Sequence, residues 1–141
     1  MEYITNNLEE TEKVAKEFAS SLKKGDVVLL YGDLGVGKTT FTQFVFSALG
    51  VKEIVNSPTF AVLKTYKTDN FVLNHFDTYR INVDEAIECG FDEVLSDKDC
   101  ITFIEWADMI KPLIPPKHIV INIKFLDETQ REIEIKRENY E

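Results

Sequence analysis

This 141-residue sequence is poor in the residue types that fix a protein's class by themselves. It has two cysteines, Cys89 and Cys100, in neither a C-x-x-C nor a metal-ligand spacing. That argues against a cysteine metal site, and buried free thiols are the expectation. No apolar run approaches the length that spans a bilayer, and the opening Met1-Glu2-Tyr3-Ile4-Thr5 has no basic, apolar signal region. A cytoplasmic protein without membrane contact is therefore expected. Positive charge is short: 16 Lys and Arg stand against 25 Asp and Glu, giving a formal net charge of −9. Nucleic-acid binding is largely phosphate neutralisation by basic side chains, so a tight direct grip on RNA or DNA is not expected. The acidity suits solubility, or docking on a basic face of a partner. Only three arginines occur, Arg80, Arg131 and Arg137. There is no repeat and no low-complexity tract. The length fits one domain, residues 1–141, and 44% hydrophobic residues can fill its core.

Glycine is sparse too, six in all, yet three fall within Gly32-Asp33-Leu34-Gly35-Val36-Gly37-Lys38-Thr39. This stretch satisfies the P-loop pattern G-x-x-x-x-G-K-[ST] at every specified position. A chance match in a chain of this length is on the order of one in a hundred or less. The flanks agree. Val27–Tyr31 is a short apolar run suited to a buried strand, and Phe41, Phe44, Val45, Ala48 and Leu49 have helical spacing, with Gly50 as a C-terminal cap. Glycines let successive backbone N–H groups converge on phosphate oxygens, and the helix N-terminus adds free donors and a favourable dipole. A nucleoside triphosphate is the expected ligand, its phosphates held by Asp33, Leu34, Gly35, Val36, Gly37, Lys38, Thr39 and Thr40. Lys38 would reach the β- and γ-phosphates and Thr39 would bind Mg²⁺.

Around this loop the chain divides readily. Asn6 or Asn7, with Glu9 or Glu10 three residues on, opens a helix whose Leu8, Thr11, Val14, Ala15, Phe18, Ala19 and Leu22 share one face and which Gly25 ends. Leu8 and Thr11 either touch the base of the nucleotide or serve as core and cap residues. Ile54-Val55 suggests a short strand. Ser57-Pro58-Thr59 is either a switch-like loop facing the γ-phosphate or an ordinary entry to a strand. Phe60–Tyr66 and Phe71–Phe76 around Asp69-Asn70 read as an antiparallel hairpin. Asn82 with Glu85 starts a short helix that turns Val83, Ala86 and Ile87 inward and stops at Gly90; another helical turn follows over Phe91–Leu95. Pro112, Pro115 and Pro116 imply an extended or turn-rich connection. Ile119–Phe125 and Glu132–Arg137 form a second hairpin, expected at the sheet edge, and Glu138–Glu141 should fray.

Two acids stand where P-loop enzymes place carboxylates. Ile101–Glu105 is an apolar strand ending in an acid, the Walker-B layout with Glu in place of Asp. Asp77 ends the strand before it; its alternatives are to cap the next turn or to pair with Arg80. Trp106, the only tryptophan, follows Glu105 and either covers the nucleotide or simply packs.

Taken in order, these pieces resemble the TsaE family (formerly YjeE). The resemblance rests on Leu30–Phe41, Asn56-Ser57-Pro58-Thr59-Phe60, His75-Phe76-Asp77-Thr78-Tyr79-Arg80, the Glu85–Gly90 helix with Glu93, and Ile104-Glu105-Trp106. The P-loop alone is unspecific; the S-P-T, H-x-D-x-Y-R and E-W set together is not. Val36 and Thr78 depart from the residues common in the family, Ala and Leu, at positions where no chemistry is expected. The resemblance implies an α/β fold, a P-loop NTPase-like three-layer sandwich with a mixed central sheet in one small domain. It implies weak, Mg²⁺-dependent ATP hydrolysis, stimulated by partners. It implies docking on the TsaB–TsaD pair, which forms N6-threonylcarbamoyladenosine at position 37 of transfer RNAs reading ANN codons, with ATP turnover resetting that complex. Transfer RNA would be met only through those partners. By position, Lys38, Asp77 and Glu105 are the catalytic residues, Thr39, Glu105 and Asp77 the metal ligands, and Thr11 and Trp106 further nucleotide contacts.

Three other readings compete. A small-molecule kinase would share the P-loop but needs an Arg-rich lid over the transferring phosphoryl group, and three arginines supply none. A GTP switch lacks its N-K-x-D motif. A nucleotide-gated adaptor with little hydrolysis is consistent with the scarcity of arginine, since a finger that stabilises transition-state charge is missing or comes from a partner.

Overall fold

The short apolar runs of the sequence become the parallel centre of one sheet. The computed structural model describes residues 1–32, 37–53, 55, 63–78 and 81–140. In chain order its elements are β1 (Glu2–Thr5), α1 (Leu8–Ser21), β2 (Val27–Tyr31), α2 (Lys38–Ala48), β3 (Leu63–Lys67), β4 (Val72–Asp77), α3 (Val83–Glu88), α4 (Phe91–Ser96) and β5 (Cys100–Glu105). A 3₁₀ segment (Ala107–Leu113), β6 (His118–Phe125) and β7 (Arg131–Glu138) complete it. The sheet has seven strands in the order β1-β7-β6-β2-β5-β4-β3. β6, β2, β5 and β4 are mutually parallel, while β7, β1 and β3 join antiparallel.

Every residue of β5 is buried, as are the first four of β2, because helices cover both faces of the sheet. On one face Val28, Leu30 and Phe103 pack with Phe18 of α1 and Phe41 and Phe46 of α2. The Phe46 ring meets Phe103 edge-on at 5.0 Å. On the other face Leu29, Phe76 and Ile104 pack with Ala86, Phe91, Leu95 and Ile110, and Phe76 stacks on Phe91 at 4.2 Å. This is the three-layer α/β sandwich with a mixed sheet. Both anticipated helix starts are built: Asn7 Oδ1 accepts from Glu10 N, and Asn82 with Glu85 forms a complete capping box.

Several local expectations are corrected. β1 was not anticipated; it is a four-residue strand whose pairing with β7 spans most of the chain, a contact with no local signature. It takes the sheet edge, so the β6–β7 hairpin lies one strand inside. Leu8 is exposed, since the buried face of α1 starts at Thr11. In α3 only Ala86 is buried, and Ile87 faces solvent. Cys89 is an exposed thiol and Cys100 a buried one. Of the extended or turn-rich connection expected around Pro112, the structure shows the turn-rich form, with Pro112 inside the 3₁₀ segment. The chain is tied down as far as Tyr140: β7 runs to Glu138, and the Tyr140 hydroxyl donates to Asp26 Oδ1 at 2.6 Å, while Glu141 lies outside the described residues. The strand expected at Ile54-Val55 and the first part of the one expected at Phe60–Tyr66 fall mainly outside the described residues, as do Ser57, Thr59 and Arg80. Among the described residues no helix is long and apolar enough to cross a membrane.

Candidate active site

The site begins where β2 hands the chain to α2. Asp33, Leu34, Gly35 and Val36 lie outside the described residues; Gly37 caps α2 with φ +105°, a conformation that side chains resist. Among the described residues no heavy atom lies within 4 Å of where a Cβ on Gly37 would stand. α1, α3 and α4 each carry acids in their first turns, which neutralise the positive end of the helix dipole. α2 carries none and has no side-chain cap. Its first turn holds Lys38, Thr39 and Thr40 instead. Lys38 is buried, with its Nζ 4.5 Å from the centroid of the Trp106 ring.

The acids come from the neighbouring strands. Register places Glu105 of β5 between Leu30 of β2 and Asp77 of β4. Side chains alternate along a strand, so His75, Asp77, Phe103 and Glu105 share the face covered by α2. Glu105 is 4% exposed, and its Oε2 lies 2.8 Å from His75 Nε2. The chain then turns sharply: Trp106 has φ +62°, a left-handed conformation that costs a non-glycine residue about 1–3 kcal/mol. Thr78 holds that turn. Its backbone N–H donates to Glu105 O at 3.1 Å, and its buried hydroxyl lies 3.0 Å from Glu105 O and 2.6 Å from Trp106 O. Thr78 thus locks the peptide that joins Glu105 to Trp106, although no role was expected at this position.

Beside the α2 N-terminus opens a cleft of ≈ 390 Å³. Thr11, Gly37 and Thr40 line it from the helices, and Ile123, Thr129 and Arg131 from the β6–β7 hairpin. The β6–β7 turn that forms the second wall is held by Asp127, whose Oδ1 accepts from the backbone N–H groups of Thr129 at 2.9 Å and Gln130 at 2.8 Å. Those two bonds hold the Asp127 carboxyl below the usual carboxylate range. The Arg131 guanidinium donates to Asp127 O at 2.7 Å and Gln130 O at 2.9 Å.

These residues fit a magnesium nucleotide. Among the described residues no group of three or more His, Cys, Asp or Glu could cage a metal. Mg²⁺ bound together with phosphates needs only one or two protein oxygens, and Thr39 and Glu105 offer those. The N-terminus of α2, with no acid in its first turn and no side-chain cap, suits phosphate, and the cleft beside it has room for a nucleoside.

Comparison with known proteins shows the family. The family described as "Threonylcarbamoyl adenosine biosynthesis protein TsaE" matches residues 5–133. The chain belongs to the TsaE family. A TsaE from Rickettsia felis is 47% identical over 130 residues, 91% of this chain and 75% of that protein. A TsaE from Bacillus subtilis is 41% identical over 133 residues, 94% of this chain and 83% of that protein. Both carry the name "tRNA threonylcarbamoyladenosine biosynthesis protein TsaE". The crystal structure of Bacillus subtilis YdiB superposes with a TM-score of 0.81 at 36% identity, covering 98% of this chain and 84% of that one. A role in threonylcarbamoyladenosine biosynthesis follows from membership of the TsaE family.

The structure brings Lys38 to Trp106 and Asp77 opposite Glu105, and it sets Thr11 and Thr40 on one cleft. Three residues had no role assigned from sequence: His75, Thr78 and Arg131. The first two lie inside a quoted motif, H-x-D-x-Y-R, that marks the neighbourhood but not the contacts. Arg131 belongs to no motif, and its place on the cleft with Thr11 comes only from the sheet order.

Proposed function

We propose that this TsaE-family chain binds ATP with Mg²⁺ and hydrolyses it slowly, serving a TsaB–TsaD complex that forms N6-threonylcarbamoyladenosine on transfer RNA in the cytoplasm. The observation that carries this reading is the junction of Lys38, Trp106 and Glu105 beside the N-terminus of α2, whose first turn holds no acid. Lys38 and the free N–H groups of α2 bind the phosphates. Thr39 and Glu105 supply oxygens for the metal, or Glu105 orients the attacking water, and Asp77 shares that work from the adjacent strand position. Bound Mg²⁺ supplies charge neutralisation on the phosphate oxygens. Thr11 and Thr40 flank the nucleoside in the cleft, and Trp106 closes the site over Lys38. The net charge of −9 supports docking on basic partner surfaces rather than on transfer RNA itself.

The test is phosphate release from Mg-ATP by the chain alone and with TsaB and TsaD added. Slow release that rises with partners supports the proposal. Fast release indifferent to partners points to an independent enzyme such as a small-molecule kinase. ATP binding without release in either case leaves the nucleotide-gated adaptor. Glu105→Ala turning over as fast as the parent in the full complex would remove Glu105 from the mechanism.

A further inference from the structure

One buried side chain beside the site has no part in the scheme above. His75 sits within β4 with none of its surface exposed, and the Phe46 ring meets it edge-on at 6.1 Å. Its Nε2 is 2.8 Å from Glu105 Oε2, while its Nδ1 has no hydrogen-bond partner among the described residues. A neutral imidazole carries a single N–H. Placed on Nδ1, that proton would be a stranded donor among aromatic rings, and the bare Nε2 would face a carboxylate lone pair. Placed on Nε2, it satisfies the carboxylate and leaves only an acceptor unpaired. A lost charge-assisted bond and a buried unmet donor both cost more than an unmet acceptor, so the network selects the Nε2–H tautomer.

We propose that His75 is a positioning residue for ATP hydrolysis: its Nε2–H holds Oε2 of Glu105, fixing the carboxylate and leaving Oε1 to serve the metal or the attacking water. This rests on the ATPase reading, through Glu105. The strand pattern explains the placement. His75 lies two residues before Asp77 on the same face, one step behind the acids, so it braces Glu105 from the core side without occupying the nucleotide side. Partners of this kind, which orient a ligand or a catalytic acid, commonly change affinity or activity about 10–100-fold when removed.

The experiment compares His75→Gln, His75→Leu, Glu105→Ala and the Glu105→Ala/His75→Leu double variant with the parent chain. It uses single-turnover phosphate release from Mg-ATP, with ¹⁵N-histidine NMR of the parent as a readout independent of turnover. A glutamine can place its amide Nε2 near the position of the imidazole Nε2. The expected result has four parts. His75→Leu slows turnover about 10–100-fold with little change in KM for ATP; His75→Gln recovers most of the loss; His75→Leu adds nothing on top of Glu105→Ala; and the spectrum shows a protonated Nε2 and a bare Nδ1. If His75→Leu fails to fold, the glutamine variant and the spectrum still decide. The proposal is overturned by a His75→Leu rate equal to the parent's while Glu105→Ala is impaired. Equal losses in the leucine and glutamine variants, an undiminished His75→Leu effect in the Glu105→Ala background, or a protonated Nδ1 would overturn it as well. Full activity of Glu105→Ala would instead remove the role of Glu105, and the positioning role with it, a result readily told apart from failure of His75 alone.

Discussion

Lys38 holds its ammonium against the face of the only tryptophan, and that contact sets how tightly the lysine is kept from other partners. A cation over an indole contributes about 0.5–2 kcal/mol, depending on how dry the site is. A phosphate oxygen offers a charge-assisted hydrogen bond of about 1.5–3 kcal/mol, with full opposite charge behind it. A nucleotide therefore draws Nζ off the ring, and Trp106 becomes the reporter. Titration with ADP or ATP should change the single-tryptophan emission, and Lys38→Ala should abolish both the response and most of the affinity. An unchanged response in Lys38→Ala would separate Trp106 from the phosphate site. Thr78 acts one step back. Its hydroxyl is buried and holds the carbonyl of Trp106 at 2.6 Å, so Thr78→Val leaves that carbonyl without this donor and relaxes a turn the chain otherwise resists. The expected loss is about 1–2 kcal/mol in urea unfolding, accompanied by slower turnover. Unchanged stability would mean that packing around Trp106 and the remaining backbone bonds, from Thr78 N to Glu105 O and from Met109 N to Trp106 O, maintain its left-handed backbone without the hydroxyl.

At the scale of elements, the junction of β2 and α2 invites a paired test. Gly37 and Gly90 both have positive φ, +105° and +82°, and among the described residues neither has a heavy atom within 4 Å of a Cβ position. An alanine at either meets no described neighbour, so the expected cost is backbone strain, about 1–2 kcal/mol. Only at Gly37 would the new Cβ stand at the N-terminus of α2, on the cleft. Gly37→Ala and Gly90→Ala should thus destabilise to a similar degree, while only Gly37→Ala loses nucleotide affinity by calorimetry. Equal affinities would take the α2 N-terminus out of the binding site. The same junction shows why part of the architecture was legible in the sequence. β2, the helix after it and the strand ending at Glu105 announce themselves through contiguous apolar runs and local motifs. β1 does not, because it is four residues long and is specified by β7, from Glu2 opposite Glu134 to Thr5 opposite Arg131. The β6–β7 hairpin was legible as a hairpin but not as the second wall of the cleft. Nothing local places Arg131 on the same cleft as Thr11; that follows from strand order. Leu8 shows the limit of periodicity: it continues the apolar spacing of α1 yet lies 64% exposed, one turn before the helix reaches the sheet.

Over the whole molecule, the ends of the chain are fastened to the sheet. The N-terminal ammonium donates to Ile135 O at 2.8 Å, and Tyr140 donates to Asp26 at 2.6 Å, beside the entry to β2. Asp26 is buried and also accepts from Lys23 N at 2.8 Å, while the Lys117 ammonium lies 4.5 Å from the centroid of the Tyr140 ring. Burial, then the hydrogen bond and negative charge of Asp26, push the Tyr140 phenol well above its ordinary value, and Arg137 opposes them only in part. The sign follows from linkage. A group whose pKa is raised on folding contributes stability that is whole below the unfolded-state value, about 10 for tyrosine, and is lost as pH climbs beyond it. Tyr140→Phe removes the hydrogen bond, so near neutral pH it should cost about 1 kcal/mol. The substitution also removes the titration. In urea unfolding at pH 8 and pH 11, the parent should therefore lose its advantage over Tyr140→Phe at the higher pH, as holding the proton against the rising pH costs the folded state more. The other tyrosines and lysines titrate in both proteins, so the difference between the two curves isolates this one phenol. A gap that persists unchanged at pH 11 would show that the ring of Tyr140, rather than its hydroxyl on Asp26, anchors the chain end.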